Sequence, residues 1–342
     1  MGARVTSLVS VIVVNYNGVE LLEECLGAVA VQTYPRFEVI LVDNGSTDGS
    51  VEFVREHYPK TILIESPRNL GFSGGNNLGA EVASGEFLLL INNDVTLERE
   101  FIEKMLPAFS EIRNLGVAHP KIVSRDKPEL LDGCGSYWTT STVFYNYGCR
   151  KDQSLERYNR CMPLFVGNAA AMLVKGTVLD RIGLFDPDFW TFYEEIDFCN
   201  RIWLAGYECW YYPRAIAYHA GGQTSGALRR SRVHYLDYRN GFASILKNFE
   251  GRTLITALPG RLAVLVAVSI VWLLKGQYRS FAAVYCSLGF NLVHLPATLR
   301  KRKKVKALRV RHDRDIFAVV KMKPRLSYYC TRLKRLKRTS IQ

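Results

Sequence analysis

No Cys-x-x-Cys pair occurs in this 342-residue chain, although eight cysteines are scattered at positions 25, 134, 149, 161, 199, 209, 286 and 330. A chain of this length has no need of disulfide stapling, so reduced thiols in a cytosolic compartment are expected. A signal peptide is not expected either, because Met1 to Ser7 is short and polar and the apolar run after it ends at Asn15. The first strand-to-helix turn, "NYNGVE", has neither a Gly-x-Gly-x-x-Gly fingerprint nor a Gly-x-x-x-x-Gly-Lys-Ser/Thr loop. A helix N-terminus cradling phosphates is therefore not expected there. Low-complexity linkers and internal repeats are absent from residues 1–250. What remains is 48% apolar and 12% aromatic, enough to build a large core.

The first 250 residues alternate strand and helix signals. "LVSVIVVNY" (8–16) is a β-branched run of strand length, followed by a helical stripe of Leu22, Cys25, Leu26 and Val29. "FEVILVDN" (37–44) predicts a second strand, and "STDGS" supplies cap residues for a helix from Val51. "TILIES" (61–66) predicts a third strand, "NNLGAEVASG" (76–85) a short helix and "EFLLLI" (86–91) a fourth strand. "GFSGGNNLG" (71–79) is glycine-rich and follows a loop, but it fits neither phosphate-binding spacing. Strands apolar on both faces, alternating with helices, imply an α/β domain with an open, mainly parallel sheet covered by helices on both faces.

Such a sheet binds its ligand outside the carboxyl ends of its strands. Those ends carry Asn15-Tyr16-Asn17, Asp43-Asn44, Ser66-Pro67-Arg68-Asn69 and Asn92-Asn93-Asp94, all polar. In the absence of a phosphate loop, a diphosphate can be held through Mg²⁺ or Mn²⁺, which take carboxylate oxygens and keep open positions. Asp94 at a strand tip is placed for that role. Asn92 and Asn93 are expected to shape the tip and bond a ribose.

The blocks "VSVIVVNYNG", "VDNGSTDGS", "NLGFSGGNNLG", "LLINNDV" and "GLFDPDFWTFYEEIDFCNRIWLAGYECWYYPRAIAYH" occur in this order over residues 8–240. Together they resemble the family 2 glycosyltransferases of GT-A fold, in particular the rhamnosyltransferase-like branch. The resemblance implies a divalent metal, Mn²⁺ or Mg²⁺, at Asn92-Asn93-Asp94, a variant of the family's Asp-x-Asp motif keeping the last acid. It implies base reading by Asp43 and Asn15, a diphosphate contact at Arg68, and His219 as a metal ligand or diphosphate contact. Read alone, His219 is an ordinary histidine at the end of a strand-like run, before "AGGQTSG". The resemblance further implies that "FYEEIDFCNR" carries the general base, expected at Glu195 with Glu194 beside it and Asp197 in a structural part. Asp186 and Trp190 would contact the acceptor. "GNAAAML" would pack beneath it, with Gly167 allowing a close approach.

The net charge of +13 is concentrated at one end. From Pro296 onward there are 17 Lys+Arg against 2 acids, leaving 28 against 30 before it (45 − 17 and 32 − 2). Next to this tail lie "LITALPGRLAVLVAVSIVWLL" (254–274) and "SFAAVYCSLGFNLVHLPATL" (280–299), each about long enough to span a bilayer. Pro259, Gly260 and Arg261 should interrupt the first, and Asn291, His294 and Pro296 the second. Positive charge on both sides, including the turn "KGQYR", disfavours a translocated loop. The expectation is a catalytic domain over 1–250 and, over 251–342, a hairpin lying in the cytoplasmic leaflet with a basic tail on anionic lipid. A soluble helical subdomain is the alternative. Nucleic acid is not an expected partner, because no recognition pattern accompanies the charge.

These readings converge on a membrane-associated inverting hexosyltransferase at the cytoplasmic face. It would move a sugar such as rhamnose from a nucleoside-diphosphate donor to a lipid-linked glycan. The alternatives are a polyprenyl-phosphate sugar synthase and a non-catalytic sugar- or nucleotide-binding scaffold.

Overall fold

The computed structural model of the chain describes residues 7–139, 142–221 and 228–323. Expectations resting on residues 1–6, on 222–227 after His219, and on the end of the tail (324–342, with Cys330) lie outside the described residues. The chain divides into two compact units. One comprises 7–136, 146–221 and 308–311; the other comprises the described parts of 137–145, then 228–307 and 312–323.

The first unit is an α/β layer built on one large mixed sheet. Its elements begin β1 (Val9–Asn15), α1 (Val19–Ala30), β2 (Phe37–Asp43), α2 (Ser50–His57), β3 (Ile62–Glu65), α3 (Gly71–Val82), β4 (Phe87–Asn92) and β5 (Val95–Leu97). Next come α4 (Phe101–Met105), α5 (Ala108–Glu111), β6 (Leu115–Ser124) and β7 (Leu131–Gly133). After the short strands β8 (Gly135–Tyr137), β9 (Tyr145–Tyr147) and β10 (Met162–Pro163) follow β11 (Ala171–Lys175), α6 (Gly176–Ile182), α7 (Glu194–Leu204) and β12 (Glu208–His219). The sheet order is β10-β12-β6-β11-β4-β1-β2-β3, with β5 beside β12 and β7 beside β6. β1, β2, β3 and β4 are parallel to one another, and β12 is parallel to β6, while β11 is antiparallel to both its neighbours.

Burial on both sheet faces explains why the strands read as continuous apolar runs. Val9, Val11 and Val13 face the cluster that contains Leu22, Cys25, Leu26 and Val29, the stripe expected for α1. Ile12 and Val14 face α3 on the other side. There the glycines of "GFSGGNNLG" are helical, because α3 begins at Gly71 rather than near residue 76. A Cβ on Gly75 would lie 2.6 Å from Val14 Cγ1, and one on Gly79 would lie 2.6 Å from Ile12 Cγ2. These residues are glycine so that α3 can approach the sheet closely, which outweighs their poor helix propensity.

The second unit holds α8 (Arg230–Asn248), α9 (Gly251–Leu274), α10 (Tyr278–Val293), most of α11 (Leu295–Leu308) and α12 (Asp313–Val320). The boundary expected at residue 250 falls inside this unit, since α8 packs with α9 and α10. Trp272 Nε1 donates to the Tyr238 hydroxyl at 3.1 Å, and Asn291 Nδ2 donates to the Arg239 carbonyl at 3.1 Å. Two expected interruptions are not breaks. α9 runs through Pro259, which removes one intrahelical bond from a helix 24 residues long. Asn291 stays helical, its amide also donating to the Ser287 carbonyl. The break comes at His294, where α10 and α11 bend by 68°. Pro296 then sits at the start of a helix, where its missing N–H is unimportant.

Candidate active site

Strand register brings the polar ends together. Asn15 pairs with Asp43 across β1 and β2, and Val14 pairs with Asn92 across β1 and β4. Asn93 Nδ2 donates to Asn15 Oδ1 at 2.7 Å, and Asn15 Nδ2 lies 3.4 Å from Asp43 Oδ2. Asp43 Oδ1 accepts the backbone N–H groups of Gly45 (3.0 Å) and Ser46 (2.8 Å). One carboxylate oxygen is thus committed to the loop, and the other bears only the long Asn15 contact. Gly18 permits this arrangement, because a Cβ there would lie 2.4 Å from Asn93 Nδ2. The Asn93 amide therefore serves the Asn15–Asp43 network, whereas the side-chain Oδ1 of Asn92 is buried without a hydrogen-bond partner.

Asp94 follows β4 in a two-residue turn and is 3% exposed. Its backbone carbonyl accepts from Ala220 N at 3.0 Å, and β5 pairs with the end of β12, with His219 opposite Val95. This places Asp94 Oδ1, buried and without a hydrogen-bond partner, 3.4 Å from His219 Nε2. On the other side of the ring, His219 Nδ1 lies 3.0 Å from Asp132 Oδ2. Burial alone pulls the His219 pKa down, but the hydrogen bond to Asp132 and the charges of the Asp94 and Asp132 carboxylates outweigh it and hold the group up at about 9.

A carboxylate and an imidazole sharing an Mn²⁺ or Mg²⁺ at adjacent octahedral positions stand about 3 Å apart, given ligand bonds near 2.1 Å. The Asp94–His219 spacing and the orphaned carboxylate oxygen fit such an ion. Among the described residues no third His, Cys, Asp or Glu completes a closed cluster. Open positions of that kind suit an ion that also takes diphosphate oxygens.

The Glu pair opens α7, as expected from its sequence. Residues 190, 192 and 193 before it have φ of 62°, 68° and 72°, left-handed conformations that Trp, Phe and Tyr rarely adopt. Such strain gathers where a loop must present specific groups. Trp190 is anchored to the β3–α3 connection and the first turn of α3: its carbonyl accepts from Ser73 N at 3.0 Å and its indole N–H donates to the Asn69 carbonyl at 3.4 Å. Gly71 leaves room for it, as a Cβ there would meet the Trp190 carbonyl oxygen at 2.3 Å. Asn44, next to Asp43, donates to the Gly71 carbonyl at 3.1 Å. One chain of contacts therefore runs from Asp43 and Asn44 to Trp190.

Glu194 is 4% exposed with Oε2 unpartnered, and Glu195 is half-buried. Burial, reinforced by the charge of Glu195, pushes the Glu194 carboxyl well above its ordinary range. Two adjacent acids thus stand in different surroundings, Glu194 buried and Glu195 half-buried. Asp197 forms a buried ion pair with Arg201 at 3.0 Å, and Arg201 in turn donates to the carbonyls of Ile182, Gly183 and Leu184. Its part is to hold the loop before the aromatic run. Asp186 caps a short turn by accepting from Asp188 N at 3.2 Å. The Arg68 side chain is exposed, and Gly167 lies against the His119 ring. Asp132 sits in no sequence block, and Asn168, though inside "GNAAAML", carries no spacing that ties it to His219.

The parallel strands, the polar ends and the buried acids define a GT-A nucleotide-sugar transferase fold, and solved structures share it. GalNAc-T7 with UDP, GalNAc and Mn²⁺ superposes with a TM-score of 0.58 at 16% identity, over 72% of this chain and 49% of that one. This chain thus spans about half the length of that protein. The mannosyltransferase PcManGT from Pyrobaculum calidifontis, with GDP-Man and Mn²⁺, gives 0.53 at 18% identity, over 88% and 86%. Residues 10–159 match the family model described as Glycosyl transferase family 2. The N-acetylglucosaminyl-diphospho-decaprenol L-rhamnosyltransferase of Mycobacterium tuberculosis is 25% identical over 246 residues, 65% of this chain and 78% of that protein.

Proposed function

We propose that this chain is a metal-dependent, inverting hexosyltransferase acting on a lipid-linked glycan at a membrane surface. The observation that carries the reading is the orphaned Asp94 carboxylate beside His219, at the same sheet edge as Asp43 and Asn15. Asp94 and His219 would hold Mn²⁺ or Mg²⁺, which when bound stabilises the departing diphosphate. Asp43 Oδ2 would accept a ring N–H of the nucleobase, with Asn15 and Asn93 fixing its loop. Glu195 would take the proton from the acceptor hydroxyl as that oxygen bonds to the anomeric carbon and the bond from that carbon to the diphosphate oxygen breaks. Protonated Glu194 beside it would leave Glu195 as the charged member. Trp190 offers an aromatic face for a sugar ring, and Asp186 sets the turn that presents it. Transfer of rhamnose is supported by the mycobacterial relative.

The membrane part of the reading rests on the second unit, whose helices are apolar on both their inner and outer faces. Leu265 and Trp272 of α9 and Val284 of α10 are buried, together with the polar Arg261, Ser269, Ser280, Ser287 and Asn291. Ile255, Val266, Ile270, Leu274, Leu292 and Val293 face outward. Exposed apolar residues, with the polar ones kept inside, suit contact with lipid. The clustered bases Arg300, Lys301, Arg302, Lys303, Lys304 and Lys306 follow in α11, suiting an anionic surface.

The test is a thermal-shift screen of nucleoside diphosphates with and without Mn²⁺, followed by transfer from the selected donor to a lipid-linked sugar. Mn²⁺-dependent stabilisation and transfer would support the reading. Transfer to polyprenyl phosphate alone would replace it with a sugar-phosphate synthase. Binding without any transfer would leave a scaffold.

A further inference from the structure

Asp132 lies in β7, whose pairing with β6 is irregular at that point. Ile122 stands opposite Gly133 and Val123 opposite Leu131, so one step along β6 matches two along β7. Asp132 is the extra residue, and a bulge of this kind re-aims a side chain. On the other edge of β6 lies β12, with His219 opposite Ser124. The Asp132 carboxylate reaches His219 Nδ1 at 3.0 Å and accepts from Asn168 Nδ2 at 2.7 Å, through the same oxygen. Asn168 Oδ1 accepts from Ala170 N at 3.0 Å, and the Ala170 carbonyl accepts from Asn92 N at 3.0 Å. The contacts form a ring that leaves the 92–94 tip at Asn92 and returns to it at Asp94 through His219.

We propose that Asp132 is a positioning residue for the metal site, holding the Nδ1–H of His219 so that the Nε2 lone pair faces Asp94 and a shared divalent cation. The proposal rests on the metal reading above. An imidazole has two nitrogens, and only the one without a proton can ligate. An acceptor fixed on Nδ1 selects the Nε2-ligating tautomer and stops the ring from rotating. Asn168 does the same for Asp132, so a half-exposed carboxylate is held in one orientation. A purely structural Asp132 would need no histidine partner facing a second, unpartnered carboxylate.

The experiment measures Mn²⁺ alone binding to the full chain in detergent, read from the electron paramagnetic resonance signal of free Mn²⁺. The variants are Asp132→Ala, Asp132→Asn, His219→Ala and Asp94→Ala. Asp132→Ala should weaken Mn²⁺ binding by about 10–100-fold, the usual effect of losing a partner behind a metal ligand. Asp132→Asn, whose amide oxygen still accepts from Nδ1, should lose less, and metal-free nucleotide binding should stay unchanged in both. Wild-type Mn²⁺ affinity in both Asp132 variants, with a loss in His219→Ala and Asp94→Ala, would overturn the proposal and leave the metal reading intact. Undiminished affinity in Asp94→Ala and His219→Ala would overturn the metal reading itself. Should Asp132→Ala fail to fold, Asp132→Leu, similar in size but without an acceptor, decides: a wild-type Mn²⁺ affinity there refutes the positioning role.

Discussion

Asp94 Oδ1 and His219 Nε2 stand 3.4 Å apart, although 125 positions separate them in the chain (219 − 94). The contact is made by strand pairing: β5 leaves the tip of β4 and runs beside the last residues of β12. A carboxylate oxygen buried here without a hydrogen bond is costly unless something binds it.

Replacement of Asp94 by Asn, which keeps the shape and removes the charge, should therefore abolish turnover. It should also abolish the Mn²⁺-dependent part of donor affinity, with the circular dichroism spectrum unchanged. Calorimetric titration of the nucleoside diphosphate with and without Mn²⁺ checks this, and wild-type turnover would remove Asp94 from the metal site.

Glu195→Gln keeps the shape of the base but cannot take a proton. Transfer should fall by about 10²–10⁴-fold while donor binding persists. Glu194→Gln should cost much less, because that group is already held protonated. A larger loss at Glu194 in single-turnover assays would move the base by one residue.

The raised pKa of Glu194 has a consequence for stability. Its ordinary value is 4.5, and burial together with Glu195 raises it in the folded state. Above pH 4.5 the unfolded chain gives up this proton while the folded chain still holds it. Stability from this group is thus fully present below pH 4.5 and falls as pH rises toward the folded value. Glu194→Gln should raise Tm relative to the parent at neutral and alkaline pH and leave it unchanged near pH 4. Equal Tm values across pH 5–8 would show that Glu194 is not held protonated.

Asp43→Ala should weaken binding of the free nucleoside diphosphate by about 1–3 kcal/mol, the effect of losing a charge-assisted hydrogen bond. Metal-free titration isolates this effect from the cation. An unchanged dissociation constant would exclude Asp43 from the base site.

Val266 and Ile270, 50% and 51% exposed one helical turn apart on α9, should lie on the lipid-facing surface. Val266→Asp with Ile270→Asp should reduce flotation with anionic liposomes at least about tenfold, since acidic residues are costly in hydrocarbon. Nucleotide binding should be unaffected. Undiminished flotation would place the membrane contact elsewhere.

Local pattern was enough to read α1, whose four buried residues sit at helical spacing, and the strands, whose burial on two faces leaves no polar alternation. The polar strand ends were legible because a parallel sheet puts all of its carboxyl ends on one edge. The Glu pair was legible because adjacent acids after an aromatic run form one continuous block. The start of α3 was not, because glycine propensity points to a loop until the closeness of Ile12 and Val14 is known.

The residue types that the proposed sugar transfer would use are thus written along the chain: Asp43, Asp94, Glu194, Glu195 and His219 each lie in a recognisable block. Their division of labour depends on tertiary structure. Burial separates Glu194 from its neighbour, strand pairing across β5 and β12 joins Asp94 to His219, and a single bulged residue brings Asp132 behind the imidazole. These depend on dielectric surroundings and on contacts between distant segments, neither of which has a period or a spacing to read. The inward-facing polar residues of α9 and α10 obey the same logic, because only packing decides which face of a mainly apolar helix is left for lipid.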